Sequence, residues 1–136
     1  SDLASVDLEL QGAIYTRLTT YAPLTAIIAQ RIYDRPPAVW PGDYVTIGEA
    51  QILRRDVTCV GAEEVHLTLH GWSQYSGGYR DVKRIADAVE TALHNYPLTL
   101  PTNRLVSISH RQTRTFRDPD GVTSHAAISL VAFTER

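Results

Sequence analysis

Two histidines and a tryptophan lie close together in the stretch VHLTLHGW (residues 65–72). If this stretch were helical, His66 and His70 would share a face and could ligate one metal ion. Apolar and polar residues alternate along it, however, and that period is typical of a half-buried strand. On a strand, the Cα atoms of these two histidines lie about 13 Å apart. Because Zn–N bonds are only about 2.1 Å long, we predict a polar strand face covered by solvent or a partner, and no metal site.

The other candidate side chains lack the spacing of a catalytic or metal site. His94, His110 and His125 are scattered, although His110 and His125 could be neighbours across a hairpin. Cys59 is the only cysteine and no activating motif surrounds it, so we interpret it as a small, semi-buried residue. The sequence has no G-x-S-x-G nucleophile motif and no phosphate loop. We therefore expect no enzyme activity, no catalytic residue and no cofactor.

Four arginines concentrate positive charge between residues 104 and 117, on one predicted strand. They form either an ordinary solvated strand edge, where charge discourages aggregation, or an arm that contacts an acidic partner or nucleic-acid phosphates. Trp40 is expected to cap the core, whereas Trp72 lies on the face of His66 and His70 and has the character of an interface anchor. The predicted interface residues are His66, His70, Trp72, Arg111, Arg114 and Arg117.

The composition is that of an ordinary globular protein. The chain has 136 residues, of which 43% are hydrophobic and 21% charged, and this fits a single domain spanning residues 1–136. Its formal charge of −2 argues against a dedicated nucleic-acid binder, which carries a basic excess. No apolar run approaches the roughly 20 residues that span a bilayer, and we expect no membrane association. The N-terminal residues SDLASVDLEL do not have the pattern of a signal peptide.

Two long helices must help to position the candidate side chains. Leu10, Ile14 and Leu18 recur at helical spacing in the first segment, and Pro23 ends that pattern before one further short helical turn. The segment RDVKRIADAVETAL (residues 80–93) has the clearest helical period in the chain, because its apolar side chains line one face and its charged ones occupy the rest.

Strands fill most of the remaining chain. Ile32–Tyr33 and DYVTIG suit short strands, and Glu49–Glu64 is interpreted as a protruding loop because it lacks a clean period. The segments RLVSISHRQTRTF and VTSHAAISLVAFT flank a type I turn at Asp118–Gly121 and form a long hairpin. Arms of about twelve residues would reach roughly 40 Å, so its tip is expected to project. The predicted fold is α+β, with a mostly antiparallel sheet, two main helices on one face and a long C-terminal β-hairpin.

Several of these segments, in this order, resemble the tail terminator (tail completion, or head–tail joining) proteins of tailed phages and gene transfer agents. The matching segments are YDRPP, DYVTIG, HLTLHGWS, VKRIADAVETAL and RTFRDPDGVTSHAAISLVAF. The resemblance covers nearly the whole chain. It depends on the order and spacing of the segments, because none of them is a catalytic fingerprint.

This resemblance implies a structural virion protein. Such proteins form a ring, typically of six copies, that caps the finished tail tube, ends its polymerisation and joins it to the head side, while DNA passes through the lumen without specific binding. The implied partners are further copies of the chain, the major tail tube protein and the head-side neck connector or stopper. The implied location is the tail end or neck of a phage-like particle assembled in the host bacterial cytoplasm. A ring subunit needs exposed edges that contact its neighbours head to tail.

Two alternatives to a tail terminator stay open at the level of sequence. The chain could be another small neck protein, such as a head–tail adaptor or stopper, which would bind the portal side. It could also be a small α+β enzyme or ligand-binding domain that uses His66, His70 or His110. That alternative predicts a concave pocket with convergent polar groups.

Overall fold

The fold is described from a computed structural model, which covers residues 5–54, 61–74 and 78–136. Within these residues, three helices and five strands follow one another along the chain. They are α1 (Val6–Thr19), α2 (Ala22–Ile28), β1 (Ile32–Tyr33), β2 (Tyr44–Arg54), β3 (Glu63–Ser73), α3 (Arg80–Leu93), β4 (Arg104–Arg117) and β5 (Ser124–Glu135). The predicted α+β class is confirmed. No helix in the described ranges is both long enough and apolar enough to cross a membrane.

The five strands form one sheet in the order β1-β2-β3-β5-β4. β1 runs parallel to β2 and pairs with it only at Ile32 and Tyr33, whereas all the other neighbours are antiparallel. β3 and β5 therefore lie in the interior of the sheet. β4 is its last strand on one side, and most of β2 extends past the short β1 on the other.

All three helices pack on one face of the sheet and build the core there. Leu10, Ile14 and Leu18 of α1 are fully buried, as the helical spacing predicts. The apolar stripe of α3 is likewise buried against β3 and β5. At Gly71 a Cβ atom would lie 3.1 Å from Cγ2 of Ile85, so the missing side chain lets α3 approach β3 closely. Each fully buried leucine or isoleucine contributes roughly 1.5–3 kcal/mol by leaving water.

Glu9 ties α1 to the turn that leads into β4. The backbone N–H groups of Thr102 and Asn103 donate hydrogen bonds to its carboxylate over 3.1 and 3.0 Å, and both side chains donate as well. Burial alone would raise the pKa of Glu9, but these hydrogen bonds favour the charged form and lower the pKa to about 2. The charged carboxylate thus links two parts of the chain that are far apart in sequence.

The prediction of a loop over Glu49–Glu64 is wrong at both of its ends. β2 continues to Arg54 and β3 begins at Glu63, so the two strands form a second long hairpin. The sequence shows no period here because the helices do not fully cover this end of the hairpin: Ile52 on the helix side is 37% exposed, and Leu53 on the open face is 41% exposed. Residues 55–60, including Cys59, lie outside the described part of the chain.

The C-terminal hairpin is confirmed, but its projecting arm is not. The Gly121 N–H donates a hydrogen bond of 3.0 Å to the carbonyl of Asp118, which closes the predicted turn. β5, however, pairs with β3 from Ser124 to Thr134, so the arms lie inside the sheet. The prediction failed because β3 is as long as the hairpin arms and pairs with one of them along its length.

Candidate interface on the open face of the sheet

The face of the sheet that no described helix covers carries the chemically distinctive side chains, and we call it the open face. Alternate residues of β3 point towards the helices and are buried, which leaves His66, Thr68, His70 and Trp72 on the open face. The prediction that both histidines share a face with Trp72 is confirmed. The pairing registers of β2, β5 and β4 then identify the neighbours of these residues.

One ring from every strand joins a continuous row across the open face. β2, β3, β5 and β4 contribute rings at directly opposed positions, and β1 adds the last one. Centroids of successive rings lie 5.7, 5.8, 3.7 and 4.6 Å apart. Each such pair contributes about 0.5–1.5 kcal/mol beyond its burial, so the row stiffens the sheet across its full width. This aromatic row consists of Tyr33, Tyr44, Trp72, His125 and Phe116.

The two tryptophans both belong to this open face. Trp72 stacks between Tyr44 and His125, and its indole N–H points at the hydroxyl of Thr46 over 3.4 Å. Trp40 contacts the ring of Tyr44 edge-on, with centroids 5.3 Å apart. The prediction that Trp40 caps the core is therefore wrong, because its ring packs on the aromatic row and belongs neither to the buried core nor to the residues packed against it.

A chain of four ionisable groups crosses the open face beside the aromatic row. Nδ1 of His70 and Nε2 of His125 lie 2.7 Å apart. Each imidazole also has a carboxylate at its other nitrogen, since Oδ1 of Asp118 is 3.2 Å from Nδ1 of His125 and Oε1 of Glu49 is 3.0 Å from Nε2 of His70. Residues from β2, β3, β5 and the β4–β5 turn thus meet within hydrogen-bonding distance.

Burial, hydrogen bonding and neighbouring charges shift the pKa values of two of these four groups, His125 and Glu49. Burial lowers the pKa of His125 because it disfavours the charged imidazolium, and the charge of His70 acts in the same direction, while Asp118 opposes both. The hydrogen bond with His70 lowers the pKa of the Glu49 carboxyl. Glu49 is therefore an anion at neutral pH, and His125 resists protonation.

The remaining histidines have separate environments. His66 contacts Glu64 on the same strand face. The backbone N–H of His110 donates to Nδ1 of His94, and the ring of His110 lies 3.4 Å from the Glu90 carboxylate of α3. The expectation that His110 and His125 are hairpin neighbours is wrong, because the β4–β5 register places Leu130 opposite the first and Phe116 opposite the second.

The structure separates the predicted arginine patch onto two faces of β4. Arg114 lies on the open face with its guanidinium 5.3 Å from the centroid of Phe116. Arg111 lies at a register irregularity of β4 and lines a shallow open-face groove of about 290 Å³ together with Glu49 and His66. Arg117 points to the helix side, where it lies over the Tyr79 ring at 5.4 Å.

A larger groove lies on the helix side of the molecule. It has a volume of about 550 Å³ and runs between α1 and residues 96–101. His66, His70 and His110 are not among its lining residues. Among the residues that the structure describes, no three His, Cys, Asp or Glu side chains are grouped closely enough to hold a metal ion.

The described fold and site together define a class of protein. It is a small α+β domain whose distinctive side chains lie on an open sheet face and on sheet edges, as in a subunit that works through contacts with other proteins. The chain belongs to the family of tail completion protein gp17, whose profile matches residues 12–135. This family is structural and gives the protein a role in the tail or neck of a virion.

Two solved structures share the fold. A chain from the virion of a native gene transfer agent particle is 24% identical, with 98% of this chain and 100% of that chain covered and a TM-score of 0.89. The gp17 protein of bacteriophage SPP1 is 23% identical, with 95% and 90% covered and a TM-score of 0.59. At these identities the likeness is one of fold. No curated protein sequence matches the chain.

Proposed function

We propose that the protein is a ring subunit that caps the tail tube, ends its polymerisation and joins it to the head-side connector, with DNA passing through the lumen. Membership of the tail completion family supports the location. The proposal of a ring rests on the two different edges of the sheet. β4 is the last strand on one side over 14 residues, and β2 beyond Thr46 pairs only with β3 among the described strands.

The strand directions suit a head-to-tail contact between these two edges. Three successive antiparallel pairings separate β2 from β4, so β4 runs opposite to β2. When copies repeat around an axis, β4 of one copy therefore meets β2 of the next as an antiparallel neighbour. A contact between two different edges repeats from copy to copy and closes into a ring when the rotation between copies fits. On the outer edge of β4, the carbonyl of Ile108 and the N–H of His110 already bond to Asn95 and His94, so strand addition can supply backbone hydrogen bonds only along the rest of that edge.

The charges of the two edges are complementary. β4 contains four arginines and no acidic residue, and one of them, Arg104, pairs with Glu135 of β5. The β2 side carries Glu49 and, on the adjoining part of β3, Glu63 and Glu64, against the single arginine of β2, Arg54. Such complementarity steers association and sets its register more than it adds affinity. The proposed interface residues are Arg111, Arg114 and Arg117 on the β4 edge and, on the open face of β3, His66, His70 and Trp72. The net charge of −2 also suits a lumen that lets DNA pass, because binding to phosphates needs a basic surface.

The test is electron microscopy of the protein mixed with isolated tail tubes. We expect ring-shaped density at one end of each tube. The double variant Arg111→Glu/Arg114→Glu should lose this density, and Arg84→Glu, which reverses an exposed charge on α3, should keep it. Normal capping by the β4 variant would show that this edge is not the contact. Binding to the head-side connector without any binding to tubes would identify an adaptor or stopper instead.

A further inference from the structure

The β2 strand is shaped to receive the ring of His70. Its pairing with β3 slips between Ile47 and Ala50, which makes a bulge at the two residues between them. A Cβ atom on Gly48 would lie 2.7 Å from the carbonyl oxygen of Thr68 and 2.8 Å from Cδ2 of His70. Glycine therefore leaves the space that the imidazole occupies. The bulge also aims Glu49 at the far nitrogen of that ring, as bulges commonly re-aim a side chain.

The four-group chain of Glu49, His70, His125 and Asp118 needs one N–H hydrogen for each of its contacts. It contains three short contacts, from Asp118 to His125, from His125 to His70 and from His70 to Glu49. The carboxylates only accept, so each contact needs an N–H from an imidazole. Two neutral imidazoles supply two N–H groups and leave one contact without a hydrogen. One extra proton supplies the third, whereas a second extra proton would make two N–H groups face each other across 2.7 Å.

We propose that the His70–His125 pair is a binding site for a single proton, and that uptake of this proton from solvent locks Glu49 and the β2 bulge onto β3. In the protonated pair, His70 donates from both nitrogens, to Glu49 and to His125, while His125 donates to Asp118. When the proton returns to solvent, two N–H groups remain for three contacts, so one contact loses its hydrogen. While His125 donates to Asp118, the single N–H of His70 serves Glu49 or His125 but not both, so the contact that holds the bulge is weakened. No part of this device depends on assembly of a ring.

The groups around the His70–His125 pair favour the uptake of one proton and oppose the uptake of a second. Glu49 faces it from β2 and Asp118 from the β4–β5 turn, and both are anions that favour a proton. Arg114 of β4 is a cation on the same face, and it contacts the ring of Phe116, which in turn packs on His125. Arg111 lines a groove together with Glu49. Trp72 of β3 and Tyr44 of β2 contribute rings to the surroundings. Burial lowers the pKa of His125, which therefore keeps to the neutral, accepting role.

Long-range ¹H–¹⁵N NMR of protein labelled in its histidines tests the proposal from pH 5 to pH 9. We expect three protonated nitrogens in the pair at the acidic end, two at the basic end, and no state with four. Glu49→Gln should weaken proton binding by the pair about twofold to fivefold, a modest effect because the Glu49 side chain is 73% exposed.

Glu90→Gln is the matched control, since it neutralises a carboxylate that faces a different histidine, His110. This variant should leave the pair's titration unchanged. Four protonated nitrogens at pH 5 would overturn the proposal, and so would two at every pH. An unchanged titration in the Glu49 variant would refute the role of the bulge.

Discussion

Replacing Trp72 with alanine tests whether the aromatic row supports the sheet. The indole is partly exposed and stacks on both Tyr44 and His125. Two ring contacts at about 0.5–1.5 kcal/mol each give a loss of roughly 1–3 kcal/mol. A fully buried residue of the same strand, Leu69, should lose about 2–5 kcal/mol as Leu69→Ala, because that change leaves a cavity in the core.

The assay is urea denaturation of wild-type protein, of both alanine variants and of Trp72→Phe. The phenylalanine retains a stacking ring and gives up a long N–H contact of 3.4 Å, so it should cost less than about 1 kcal/mol. If Trp72→Ala costs as much as Leu69→Ala, the indole behaves as core. If it costs nothing measurable, the row does not stabilise the sheet, and the ring contacts matter only to a partner.

Three further perturbations follow from the same structure. Gly12→Ala should stabilise the protein by about 0.5–1 kcal/mol in thermal or urea denaturation, because nothing lies within 4 Å of the added Cβ in α1. Gly48→Ala should instead cost about 1–3 kcal/mol, because its Cβ would lie 2.7 Å from a backbone oxygen, and equal effects of the two changes would refute this. The pKa of Glu9 is lowered from 4.5 to about 2, so its stabilisation is full above pH 4.5 and is lost as the pH falls towards 2. Glu9→Gln should therefore lower the free energy of unfolding at pH 6, measured by urea denaturation. The difference in stability from wild type should disappear as the pH is lowered towards 2. A difference that stays constant with pH would show that the ionised carboxylate does not stabilise the fold.

Elements with a complete local signal could be predicted from the sequence. The helical period alone was enough to predict the apolar stripe of α3. The residue types at Asp118, Pro119 and Gly121 were enough to predict the C-terminal turn. The end of β2 could not be predicted in this way. A strand shows its period only where one face is covered, and the helices do not fully cover this end of β2, at Ile52 and Leu53.

The pairing of His70 with His125 depends on two registers, and the sequence determines only one of them. The turn at Asp118–Gly121 places Phe116 opposite His125, so two of the five rings in the aromatic row can be derived from the turn. The same register excludes His110 as a neighbour of His125. The alignment of β3 with β5 joins residues 55 positions apart and is selected by core packing, so the sequence alone does not reveal His70 as the neighbour of His125.

The charge of the β4 edge also bears on why the protein would form a ring and not a simple pair. Two copies could join their β4 edges to each other, since a free edge strand pairs readily with its own kind. That arrangement would bring Arg111 and Arg114 of one copy towards those of the next, with no acidic residue on either strand, while Arg104 is paired with Glu135 and Arg117 lies on the helix side. Like charges placed opposite each other across two strands are destabilising, so the symmetric pair is disfavoured. The β2 side, with Glu49 and the nearby Glu63 and Glu64, leaves a head-to-tail contact as the electrostatically favoured one. We therefore expect the charge reversal on β4 to release symmetric self-association while it removes capping, and sedimentation of the two species would distinguish this from simple misfolding.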